Sequence, residues 1–128
     1  MVEDARKQFG NKGESLAASF LKEKGMRILT HQYRSPVGEI DLICLDGEEL
    51  VFVEVKTRSS QVYGFPEESI TPKKIQHLLH VAQHYLQQTS VKQLSWRIDV
   101  IAISYSKELS PEIMHFPARL YVKQGDAS

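Results

Sequence analysis

The 128-residue sequence has one cysteine, Cys44, so it can form no internal disulfide and no zinc centre built from several cysteines. It has no excess of either charge: 16 Lys and Arg stand against 16 Asp and Glu, a formal net charge of +0. That balance excludes a histone-like or polybasic binder that works through bulk charge, so any nucleic-acid surface must be a local patch. No run approaches the roughly 20 apolar residues of a membrane span, and residues 1–8 are charged where a secretory signal would be apolar. Glycine and proline are sparse, at 7 and 5 residues, and punctuate periodic stretches without any repeat. A single cytoplasmic domain over residues 1–128, with a frayed tail from about Lys123 and no membrane partner, is the expectation.

What is present suits a folded domain, since 41% hydrophobic residues provide enough apolar surface to offset the entropy of ordering the chain. Phe9, Leu16, Ala17, Phe20 and Leu21 recur at helical spacing, which predicts a helix over about Glu3 to Lys24 with Gly25 as its stop. Arg27 to Tyr33 reads as a strand. Glu39 to Leu45 and Leu50 to Thr57 read as two more, joined around Asp46-Gly47 as a hairpin. Thr71-Pro72 caps and opens a second helix that ends near Gln88, with Ile75, Leu78, Leu79, Ala82, Tyr85 and Leu86 on its apolar face. Trp96 to Ser104 and Ile113 to Phe116 complete the strands, and Pro117 stops the last. Helix, three strands, helix and two strands specify an α/β fold, a mixed sheet with helices packed on it.

Charges appear where a covered strand should carry none. In Glu39 to Leu45, alternation places Asp41, Ile43 and Leu45 on one face and Ile40, Leu42 and Cys44 on the other, so both faces are apolar. An unpaired carboxylate buried there costs several kcal/mol, roughly. The next strand repeats the anomaly, with Leu50, Phe52, Glu54 and Lys56 sharing one face. Pairing Leu45 with Leu50 and Ile43 with Phe52 sets Asp41 opposite Glu54 and Glu39 opposite Lys56. A two-residue Asp46-Gly47 turn instead makes Asp41 and Glu54 diagonal neighbours on that same face, whereas a three-residue loop without a bulge would put them on opposite faces. Carboxylates about 5 Å apart repel unless a cation lies between them, and Mg²⁺, a hard ion with oxygen ligands, answers that need, with Mn²⁺ as the substitute. The structural alternatives are a Glu39–Lys56 ion pair, a Glu54 pair with Arg97 or Arg58, and an Asp41 cap on a backbone group. Glu14 precedes Leu21 by seven positions, about 20° around the axis, and so borders the apolar stripe. Pairing with Lys24 or Arg27 is its structural alternative.

The runs Gly38-Glu39-Ile40-Asp41-Leu42-Ile43 and Val51-Phe52-Val53-Glu54-Val55-Lys56-Thr57-Arg58, with Gly10 and Gly13-Glu14, resemble the YraN-like family of uncharacterised bacterial proteins. The likeness continues through Tyr63-Gly64, the Lys73-to-Leu86 helix and Arg97-Ile98-Asp99-Val100, over roughly residues 9 to 118. That family is similar to archaeal Holliday-junction resolvases and to the restriction-endonuclease-like PD-(D/E)xK nucleases. The resemblance implies a restriction-endonuclease-like mixed β-sheet of four or five strands flanked by helices. It also implies Asp41 and Glu54 as metal carboxylates, Lys56 as the motif lysine and Glu14 as a helix carboxylate near the metal. Ile40 stands where the superfamily motif has proline.

With these residues, the resemblance implies a metal-dependent nuclease hydrolysing phosphodiester bonds in DNA, branched or structured DNA included. Asp41 and Glu54 hold Mg²⁺ with the Val55 carbonyl, Glu14 completes the metal's shell or holds a metal-bound water, and Lys56 positions water and stabilises negative charge. Arg34, Arg58, Lys73 and Lys74 provide phosphate contacts, the lysine pair at a helix N-terminus whose amides also favour anions. A homodimer would allow two strands to be cut. The competing reading is a catalytically weak or inactive nucleic-acid-binding or protein-interaction module on the same fold. His80 and His84 stand one helical turn apart but lack a third ligand for zinc, and Tyr63-Gly64-Phe65-Pro66 reads as a turn-rich connection.

Overall fold

Apolar residues that alternate along strands and recur along helices produce seven elements among the described residues. The computed structural model describes residues 2–59, 71–89, 95–106 and 110–117, with side chains at all of these except 2–11 and 59. The elements are α1 (Val2–Glu23), β1 (Arg27–Ser35), β2 (Gly38–Asp46), β3 (Glu49–Ser59), α2 (Pro72–Gln88), β4 (Trp96–Tyr105) and β5 (Glu112–Pro117). Each lies where its periodicity places it, with the strands one or two residues longer at their ends because ladder bonds continue past the apolar positions. Tyr63 to Pro66, the tail from Lys123, and the side chains of Phe9 and Gly10 lie outside the described set. No helix among the described residues is long and apolar enough to cross a membrane.

The five strands form one sheet in sequence order, antiparallel except for β3 and β4, which run parallel. A parallel pair needs a crossover, and α2 lies within it. On one face α1 packs Ala17, Ala18 and Leu21 against Leu42, Cys44, Val51, Val53, Ile101 and Ile103. On the other, α2 sets Ile75, Leu78, Val81 and Ala82 over Ile43, Leu50, Phe52 and Ile98. Phe52 is 1% exposed. Burial of a side chain of that size contributes about 2–3 kcal/mol.

The helix ends follow their local chemistry. Gly25 has φ +94 and closes α1 with paired bonds, Gly25 N–H to Lys22 O at 2.9 Å and Met26 N–H to Leu21 O at 3.0 Å. Met26 and Leu21 then join the same core cluster, so the cap also sets how the chain enters β1. At α2, the Thr71 hydroxyl accepts the Lys74 N–H at 3.1 Å.

The β2–β3 register pairs Leu45 with Leu50 and Ile43 with Phe52, the first of the three arrangements the sequence allows. Asp46 also pairs with Glu49, so the turn residues are Gly47 and Glu48, not Asp46-Gly47, with Gly47 at φ +63. Glycine alone takes that conformation without strain, which draws the turn one residue along.

One expected alternation fails. Leu42 and Cys44 face α1, but Ile40 packs in the α2-side cluster beside Tyr33 and Val37. The β2–β3 ladder ends at Leu42↔Val53, while β2 stays paired with β1 as far as Gly38. Asp41 therefore stands at a fork where β2 leaves β3. Gln32, the β1 residue between the pairs His31↔Leu42 and Tyr33↔Ile40, has φ 51, a left-handed backbone rare for a non-glycine residue. That conformation marks where β1 and β2 change course.

Candidate active site

At the fork the Val55 N–H, which has no β2 carbonyl opposite it in the ladder, donates to Asp41 Oδ2 at 2.7 Å. The backbone cap that the sequence offered as an alternative for Asp41 is thus present. It leaves the rest of the carboxyl group facing Glu54. Burial first, then the Glu54 charge, pushes the Asp41 pKa up to about 7; the Val55 bond opposes this, and Glu14 and a hydrogen bond between the two carboxyl groups add to it. A carboxyl group poised near neutrality beside a second carboxylate is the electrostatic signature of a site that lacks positive charge at its centre.

Glu54 is 8% exposed and sits on the α2 side of β3. Its Oε2 receives two ammonium groups, Lys74 Nζ at 3.0 Å and Lys56 Nζ at 3.6 Å. Neither Arg97 nor the Glu39–Lys56 pair takes the role considered for it. Glu39 pairs with Arg34 at 3.5 Å on exposed side chains, and Arg97 binds elsewhere. Lys74 reaches Glu54 because the crossover returns α2 with its first turn above the C-terminal end of β3.

Glu14 comes from α1, one residue after Gly13. A Cβ on Gly13 would stand 2.0 Å from Thr57 Cγ2, so only glycine lets the helix lie this close to β3. Gln32 Nε2 donates to Glu14 Oε1 at 3.2 Å, in place of the Lys24 or Arg27 partner considered from sequence. Glu14 thus lies close enough to act electrostatically on Asp41. No three His, Cys, Asp or Glu side chains among the described residues converge closely enough to hold an ion together. The donor set at the fork is therefore two carboxyl groups. It suits Mg²⁺ or Mn²⁺, since Mg²⁺ keeps several waters and commonly takes only one or two protein carboxylates.

The phosphate candidates divide. Lys74 stands in the site through Glu54, Lys73 is exposed beside it on the first turn of α2, and Arg58 lies two residues beyond Lys56 on β3. Arg34 belongs to an exposed ion pair at the β1–β2 tip. The histidines do not assemble: His84 Nδ1 lies 3.2 Å from the Tyr33 hydroxyl, and His77 and His80 are exposed.

Arg97 and Asp99 serve a different place. Asp99 is 0% exposed and bonds Arg97 Nε at 2.9 Å and His115 Nε2 at 2.7 Å; Arg97 also donates to Glu49 and, at 3.1 Å, to Asp46. Although burial opposes ionisation, bonds from His115 and Arg97 hold the Asp99 pKa below its ordinary value. This network ties β4 to β5 and to the β2–β3 turn. Nearby, burial pushes the Cys44 thiol up to about 12, so it is an inert core residue.

Sequence reading missed Gln32 and underrated Lys74. Nothing in a sequence marks a non-glycine left-handed residue. Lys74 carried a signal: lysine in a helix's first turn opposes the macrodipole and asks for an anion nearby.

Comparison with known proteins places these residues within a family. The model of the family described as "Uncharacterised protein family UPF0102" matches residues 13–103, which include Glu14, Asp41, Glu54, Lys56 and Lys74. A UPF0102 protein of Anaeromyxobacter dehalogenans is 41% identical over 115 residues, 90% of this chain and 85% of the relative. One from Moorella thermoacetica is 45% identical over 98 residues, 77% of this chain and 82% of the relative. One from Paenarthrobacter aurescens is 37% identical over 115 residues, 90% and 95% of the two chains.

Proposed function

This chain belongs to the uncharacterised protein family UPF0102, and we propose that it is a metal-dependent nuclease that hydrolyses phosphodiester bonds in DNA. The observation that carries the proposal is the Asp41–Glu54 carboxyl pair at the fork of β2 and β3, with Lys56 and Lys74 on its rim. A mixed sheet with a helix on each face and acidic residues on its second and third strands also agrees with the nuclease resemblance in the motifs.

Asp41 and Glu54 hold the cation, and Glu14, positioned by Gln32, adds negative potential next to it. A divalent ion there supplies polarisation of a phosphate and a more acidic water. Asp41 would serve as a ligand in its ionised form, with the Val55 N–H keeping that carboxylate oriented. Lys56 orients the attacking water and offsets the charge that grows on the phosphate oxygens. Lys73, Lys74 and Arg58 bind neighbouring phosphates, helped by the positive end of the α2 helix dipole.

A second reading, a binding module without catalysis, rests on the Asp41–Val55 bond, which gives Asp41 a structural use in the absence of chemistry. A cleavage screen separates the two. Purified protein is incubated with single-stranded, duplex, flap and four-way DNA and RNA, with Mg²⁺, Mn²⁺ or EDTA, beside Asp41→Ala. Divalent-dependent cleavage of DNA that Asp41→Ala abolishes supports the nuclease. Nucleic-acid binding with no cleavage of any substrate, or cleavage that survives Asp41→Ala, supports the module.

A further inference from the structure

Lys74 is positioned against ordinary helix electrostatics. The first turn of α2 carries Lys73 and Lys74 and no acidic residue, so two ammonium groups add to the positive end of the helix. The Lys74 backbone is pinned by the Thr71 cap, and its side chain reaches to the sheet to pair with Glu54 at 3.0 Å, closer than Lys56 at 3.6 Å. Both lysines use the same carboxylate oxygen, Oε2. Glu54 is nine-tenths buried, whereas the Lys74 side chain is 35% exposed and can exchange its partner without breaking the core.

We propose that Lys74 is a latch that couples phosphate binding to cation binding at the Asp41–Glu54 site. With nucleic acid absent, the Lys74 ammonium neutralises Glu54 and repels a divalent ion brought to the same carboxylate. A backbone phosphate offers Lys74 a second anion at the helix terminus, draws it from Glu54 and frees that oxygen for the ion. The two ligands therefore bind cooperatively, and linkage makes the effect reciprocal: the ion releases Lys74 to phosphate as much as phosphate releases Glu54 to the ion. A unit charge a few ångströms from a divalent ion in a half-exposed site changes affinity by about tenfold or more. The idea rests on the nuclease site above. It adds that the site takes the ion about tenfold more tightly when a phosphodiester backbone is present, which disfavours the ion on an idle enzyme.

The test measures Mn²⁺ affinity by electron paramagnetic resonance, with and without a short phosphorothioate duplex and with binding to duplex alone subtracted. Three proteins are compared: wild type, Lys74→Met, which keeps the stem and removes the charge, and Lys73→Met, which removes an equal charge from the exposed neighbour. The latch predicts that Lys74→Met binds Mn²⁺ about tenfold more tightly than wild type without duplex and loses most of the duplex-dependent gain. Lys73→Met weakens duplex binding but shifts Mn²⁺ affinity less than twofold. Lys74→Gln repeats the result with a polar side chain. Equal effects of Lys73→Met and Lys74→Met, or no effect of Lys74→Met on Mn²⁺ binding that Asp41→Ala abolishes, overturn the latch alone. Absence of any Asp41-dependent Mn²⁺ binding, with or without duplex, overturns the metal site and the latch with it.

Discussion

The Asp41 carboxylate takes the Val55 amide hydrogen at 2.7 Å, in the position where a strand carbonyl would have stood had β2 stayed beside β3. One side chain thus both closes the backbone ledger at the fork and lines the site. These two duties respond differently to substitution. Asparagine keeps the acceptor and removes the charge, whereas alanine removes both.

Stability against pH reports that distinction. The Asp41 pKa rises from 3.8 to about 7 on folding, so the folded protein holds this proton more tightly than the unfolded chain. Between about pH 4 and 7 the folded state binds more protons at this position, and stability falls as pH rises through that window. Asp41→Asn mimics the protonated form and escapes the loss. In EDTA its melting temperature should equal that of wild type near pH 4 and exceed it increasingly up to pH 7, with a constant gap above. The gap corresponds to about 1–2 kcal/mol after discounting for partial exposure. Thermal unfolding followed by circular dichroism across pH 4 to 8 checks this, and a gap that shrinks as pH rises contradicts it.

Cation binding should run the other way with pH. A ligand that must lose a proton with a pKa of about 7 binds an ion more weakly below that value. Mn²⁺ affinity should climb almost tenfold per unit from pH 5 to 6.5 and level off above 7.5. Calorimetric titrations at several pH values give the slope, and a flat profile argues against Asp41 as a ligand.

Mutational kinetics divide the roles. Asp41→Ala and Glu54→Ala should each lower divalent-dependent cleavage by at least about 10³-fold by removing a ligand, while Lys56→Ala should reduce kcat about 10²-fold or more with a small change in Mn²⁺ affinity. Single-turnover cleavage and Mn²⁺ titration on the same preparations measure both. Loss of Mn²⁺ binding in Lys56→Ala would assign that lysine to holding the site together.

The α1–β3 contact predicts a compensating pair. Gly13→Ala drives a methyl group into Thr57 Cγ2, which the structure places 2.0 Å from the new Cβ, and should cost about 1–3 kcal/mol. Thr57→Ser removes that methyl group, so the double variant should recover most of the loss. Urea unfolding of the four proteins in the cycle provides the numbers; strictly additive losses would place the strain elsewhere.

Arg97 should matter for folding alone. Arg97→Met leaves the fully buried Asp99 carboxylate with the His115 contact and removes the Arg97 guanidinium from Asp46 and Glu49. The expected loss is about 3–5 kcal/mol. Cleavage per folded molecule should hold, which activity normalised to the folded fraction tests.

Local chemistry along the chain dictates the elements and, Ile40 apart, their faces. Alternation and helical spacing arise from local backbone geometry, so Phe52 and Glu54 are bound to one face of β3, and Gly25 and Thr71-Pro72 end and start helices wherever they stand. It also marked Asp41 and Glu54 as misplaced charges, because burial of a carboxylate is costly in any fold. Which partners meet depends on how distant elements pack. Lys74 rather than Arg97 stands 3.0 Å from Glu54 because α2 crosses from β3 to its parallel neighbour β4 and presents its first turn there. Arg97 finds Asp46 and Glu49 because strand order brings the start of β4 beside the β2–β3 turn. Gln32 meets Glu14 because a left-handed residue bends β1 at the fork, and Gly13 admits α1 close to Thr57. Periodicity states which way a side chain faces; a long, flexible charged side chain can satisfy itself with any opposite charge in reach, and reach is set by packing between elements distant in the chain.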